Sequence, residues 1–167
     1  MPPHASRRLN LVLVPVRWQA ALDEECLASL WANWVKEGII TSKGRAGPRA
    51  EAWVKGGFVL VRVDRPPRVG TYGNRVGGFH VSCPACGQPV AREWGSAVQA
   101  LKHAAPWSLS CPGCGVSLGP NQVATQPPAA LARFAVELRD VGSPDLLSPG
   151  SFVGLLGQDF RVIGVRG

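Results

Sequence analysis

The chain has 167 residues, with 18 Lys and Arg against 11 Asp and Glu, giving a formal net charge of +7. Its 46% apolar and 17% charged residues supply a core for one domain near the common ~150-residue size, which excludes wholesale disorder. No stretch approaches the ~18 uninterrupted apolar residues of a membrane-spanning helix, and 20 Gly with 15 Pro imply many turns between short elements.

The run Ser6-Arg7-Arg8-Leu9-Asn10-Leu11 matches the start of a twin-arginine export signal. The apolar stretch after it contains Pro15, ends at Arg17 and lacks a small-x-small cleavage site, so a cytoplasmic location is expected. Residues 9–16 are apolar on both alternating faces, the pattern of a strand in the middle of a sheet. From Asp23 to Glu37, Leu27, Leu30, Trp31, Trp34 and Val35 make the stripe of an amphipathic helix, with acidic residues at its start and Gly38 beyond its end. Cys26, at the flank of that stripe, reads as a small half-buried apolar residue.

Residues 41–57 should be mostly irregular. Residues 58–63 read as a strand, 64–78 as a long connection and 79–82 as a second strand, the antiparallel neighbour of the first. A short helix is predicted over 93–104 and a short strand over 107–110. Residues 121–128 read as a polar linker. In 133–139, Phe134, Val136 and Leu138 alternate with Arg133, Glu137 and Arg139, the signature of a strand with one wet face. A weak helix near 152–156 and a strand over 160–165 complete the chain. The order predicts a single α+β domain over 1–167, with a mixed or antiparallel sheet and helices on one face.

Within this frame, Cys83-Pro84-Ala85-Cys86-Gly87 and Cys111-Pro112-Gly113-Cys114-Gly115 are near copies, with 24 residues, Gly87 to Ser110, between the two cysteine pairs. Proline fixes φ after the first cysteine of each pair, and glycine after the second tolerates positive φ, so that each turn aims two sulfurs at one point. Four soft ligands in tetrahedral array select Zn²⁺ over hard cations, and four thiolates leave no position for water, so one structural ion per chain is expected. Iron in the same sulfur set, two disulfides and a redox Cys-x-x-Cys are the competing readings. The two pairs resemble the knuckles of the zinc-ribbon superfamily over residues 79–119. That resemblance implies an embedded four-cysteine zinc module with Cys83, Cys86, Cys111 and Cys114 as ligands. The gap exceeds the usual ~15–20 residues, which points to a ribbon with an inserted helix.

Between Lys43 and Arg75 there are eight basic and two acidic residues. Read simply, these are solvated loop arginines. Read as a site, Arg62, Arg65, Arg68 and Arg75, with Tyr72 and Trp53 for stacking, make a contact surface for nucleic acid or a protein partner. Catalytic signatures are missing. Gly115-x-Ser117-x-Gly119 spells a nucleophile elbow, but its first glycine belongs to the second knuckle, and no phosphate loop or dinucleotide motif occurs. His80 and His103 read as ordinary surface or boundary residues. No catalytic residue or organic cofactor is assigned. The resulting expectation is a small, non-enzymatic, bacterial-type cytoplasmic zinc-binding protein that serves as a protein-interaction module. A nucleic-acid-binding accessory protein using residues 43–75 is the alternative.

Overall fold

The computed structural model describes residues 8–74, 78–147 and 159–166, with an antiparallel four-stranded sheet as its frame. Leu9–Pro15 (β1) lies inside this sheet, as its two apolar faces require. Ala135–Arg139 (β7) and Phe160–Arg166 (β8) flank it, and Leu60–Asp64 (β2) pairs beyond β7, giving the order β2-β7-β1-β8. The register sets Leu11 opposite Leu138 and Leu13 opposite Val136 on one face, and Val12 opposite Ile163 on the other.

Glu24–Lys36 (α1) covers the first face. Leu30 and Trp34 are buried there, and the Asp23 carboxylate accepts a hydrogen bond from the Cys26 N–H at 2.7 Å, capping the helix start. That N–H, together with the Cys26 thiol, holds the Asp23 carboxyl below its ordinary value. Gly38, with φ of 73°, ends the helix as predicted. Residues 41–57 are largely irregular, with one 3₁₀ turn at Ala50–Ala52. They nevertheless carry core residues: Trp53 is 1% exposed and meets Trp34 edge-on, with ring centroids 5.0 Å apart.

The second face is covered by strands. Gly70–Gly73 (β3) pairs with Ala129–Ala132 (β6), whose four residues are all buried. Ala130 and Ala132 pack on Val12, Val14, Ala135 and Ile163 of the sheet, whereas Leu131 joins the core of the four-cysteine module. β6 is thus the layer shared by the two cores, small on the side where the sheet comes close and bulky on the other. The module itself holds Ala91–Lys102 (α2) and a ribbon in which His80–Ser82 (β4) pairs with Ala124–Gln126 (β5).

Several expectations are corrected. Residues 79–82 do not lie beside the strand at 58–63; β4 pairs with β5, and β2 pairs with β7. The free side of β2 is occupied near Val61, whose N–H donates to the Gly44 carbonyl, while the connection 64–78 contains β3 and leads the chain away to β6. The linker 121–128 includes β5, and the strand expected over 107–110 is reduced to a single bridge between Ser110 and Ser117. Cys26 is exposed, not half-buried. The helix expected near 152–156 lies outside the described residues.

Candidate metal centre

The two knuckles are superposable in their bonding, each feature recurring 28 residues later. Cys83 N–H donates to the Gln88 carbonyl and Cys111 N–H to the Val116 carbonyl, both at 2.9 Å. Gly87 N–H returns to the Cys83 carbonyl and Gly115 N–H to the Cys111 carbonyl, both at 2.8 Å. Gly87 and Gly115 share a φ of 75°, a left-handed conformation in which a Cβ would be strained. Below the knuckles, Val90 N–H donates to the Val81 carbonyl and Leu118 N–H to the Leu109 carbonyl, both at 2.9 Å. All four of those side chains are buried and form an apolar floor with Trp94 of α2.

On this doubled scaffold Cys83, Cys86, Cys111 and Cys114 converge, with all four sulfurs within 4.8 Å of one another. Cys83 Sγ lies 3.8 Å from Cys114 Sγ, and Cys86 Sγ lies 3.6 Å from Cys111 Sγ. A tetrahedral ion with metal–sulfur bonds of ~2.3 Å requires sulfurs about 3.8 Å apart. The same separations are far beyond the ~2.05 Å of a disulfide, and all five cysteines are free thiols. Cys83 and Cys111 are buried, whereas Cys86 and Cys114 are exposed, so the cluster sits at the module surface with its inner half dry.

The electrostatics favour a cation. The Cys114 N–H, followed by that of Gly113, draws the Cys111 thiol down to about 7. At Cys86 the Gln88 N–H pulls the same way, but the Cys111 sulfur, burial and the two remaining sulfurs outweigh it and push that thiol up to about 12. Four thiols at these distances cannot all ionise by themselves, because each thiolate raises the cost of the next. A divalent ion offsets that repulsion and deprotonates all four. With four sulfur ligands the coordination sphere is closed, which suits a structural site.

The supporting residues lay beyond the reading of the two pairs. Trp107 Nε1 donates to the Leu118 carbonyl at 2.7 Å and Trp94 Nε1 to the Pro120 carbonyl at 3.3 Å, tying the second knuckle to the module core. A Cβ on Gly113 would meet the Gln88 side chain at 3.3 Å and Cys86 Sγ at 3.5 Å, so the second knuckle carries glycine where the first has Ala85. The signal available in the sequence is the 28-residue offset itself, which matches Val81 with Leu109 and Val90 with Leu118 as well as the cysteines. Neither His80 nor His103 joins the sulfur cluster.

Among the described residues, the members of the basic stretch occupy different environments. Trp53 is buried in the sheet core and has no face for a base. Tyr72 is half-buried and donates to Asp64 Oδ2 at 2.8 Å; burial first, and that contact second, push its hydroxyl well above its ordinary value. Arg65 donates to the Leu22 carbonyl at 3.2 Å and pairs with Glu24, which holds the segment before β3 against the start of α1. Arg62 and Arg68 are exposed, and Arg75 lies outside the described residues. No helix among the described residues is long and apolar enough to cross a membrane. In comparisons with known proteins the chain matches no protein family, no curated protein and no solved structure.

Proposed function

We propose that this chain is a non-enzymatic cytoplasmic protein in which one structural Zn²⁺, held by Cys83, Cys86, Cys111 and Cys114, fixes a module that presents a surface to a protein partner. The convergence of four sulfurs at tetrahedral spacing carries the reading. A closed sulfur sphere supports a structural ion rather than a reactive one, and reduced cysteines suit a reducing compartment. Recognition is assigned to the knuckle tips because loops on a rigid scaffold commonly carry it. Pro84, Ala85, Pro112 and Gly113 are exposed there, beside Val116 at 38%.

Affinity capture from native cell extract, with and without nuclease, tests this reading. A protein partner should persist after nuclease and disappear with Ala85→Glu/Val116→Asp, a change that leaves every metal ligand in place. Loss of all partners on nuclease treatment alone would transfer the role to nucleic acid.

A further inference from the structure

A cavity of 220 Å³ opens at the seam between the sheet and the metal module. Trp18 from the turn after β1, Pro67, Arg68 and Val69 from the approach to β3, Leu101 near the end of α2 and Arg133 between β6 and β7 form its wall. No carboxylate lines it. Arg8, Arg65 and Arg139 have acidic partners in Asp140, Glu24 and Glu137; Arg68 and Arg133, like most arginines among the described residues, have none. All 11 Asp and Glu of the chain fall within those residues, so no acidic side chain elsewhere neutralises the pair.

We infer that this cavity binds a small oxyanion, a carboxylate or phosphate, borne on a flat apolar body. Arg68 and Arg133 both line this space, and guanidinium forks match the paired oxygens of such a group. Trp18 adds an aromatic face, and Val69 and Leu101 add apolar wall, for the body that carries it. The volume lies below the ~300–1,000 Å³ of pockets for drug-sized ligands, which limits the guest to about one ring. Because the wall is drawn from both layers, an occupant ties the module to the sheet. The inference is independent of the metal and of the protein-partner reading.

Calorimetric titration of the full chain with benzoate, phenyl phosphate and benzyl alcohol tests it. At least one oxyanion should bind saturably, at least about tenfold more tightly than benzyl alcohol, and Arg68→Gln/Arg133→Gln should weaken it by at least about tenfold. Whichever probe binds better shows whether the oxyanion is carboxylate or phosphate. Lys43→Gln/Lys55→Gln, which removes the same charge elsewhere, should leave binding unchanged. Failure of both oxyanions to saturate, equal binding of benzyl alcohol, or equal losses in the two double variants would overturn the inference. The comparison among the three probes needs only the wild-type chain, and therefore decides even if a variant fails to fold.

Discussion

Asn121 serves β6 as a neighbouring strand would. Its amide nitrogen donates to the Leu131 carbonyl at 2.8 Å, and its amide oxygen accepts from the Leu131 N–H at 2.7 Å. Leu131 is fully buried between the two cores, so those backbone groups have no access to water in place of the side chain. Asn121→Ala should therefore cost about 1–3 kcal/mol, read as a lower denaturant midpoint at unchanged slope. Asn121→Asp keeps an acceptor but no donor and should also destabilise; two variants as stable as the parent would show that the clamp is dispensable. Nothing in the sequence singled out Asn121, because its partner is ten residues away and the strand it pins had itself gone unread. Cys26 is a similar case: its place beside the helix stripe suggested partial burial, yet it is exposed, and its contact with the Asp23 carboxylate raises the thiol above its ordinary value. An exposed cysteine held protonated in this way is a poor nucleophile.

Among the elements, those with a strong period were legible. α1 announced itself by its apolar stripe and acidic start, and β1 by apolar residues on both faces. β6 did not, because Ala-Ala-Leu-Ala has neither alternation nor β-branched residues, and its strand form comes from pairing with β3 and from burial on both sides. β4 was placed correctly but paired wrongly, since a three-residue strand carries little information about its partner. The four-cysteine module, read as a metal site, adds a dependence that periodicity cannot express. Its apolar floor is built on turns whose geometry the four sulfurs hold, whereas the core around Trp34 and Trp53 rests on the sheet and α1. Stripping the metal with a chelator should raise hydrogen exchange at Trp94–Val98 of α2 by at least about tenfold while β1 and β7 keep most of their protection. Uniform loss in both regions would instead show that the two cores fold as one unit.

At the scale of the molecule, β6 lies between the core of the four-cysteine module and the one on the second face of the sheet, and the longer apolar elements belong to the sheet's side. The module has two knuckles, a 12-residue helix and one ribbon of three-residue strands, and so small a unit gains most from a metal that ties its turns together. The sequence revealed the four-cysteine cluster more plainly than the architecture around it: matched Cys-Pro-x-Cys-Gly turns state their chemistry locally, while strand order depends on contacts across more than a hundred residues, such as Leu11 with Leu138. The basic stretch gave the opposite outcome. Its charge was obvious in the sequence, but the fold commits Arg65 to Glu24 and Tyr72 to Asp64, and leaves Arg68 beside Arg133, a neighbour that linear spacing could not supply. The most direct measurement is X-ray absorption at the metal edge combined with elemental analysis of the purified chain. One zinc per chain, with four sulfur neighbours at about 2.3 Å and no nitrogen or oxygen in the shell, is the predicted result. Protein free of metal with four titratable thiols, or a shell that includes oxygen or nitrogen, would contradict it.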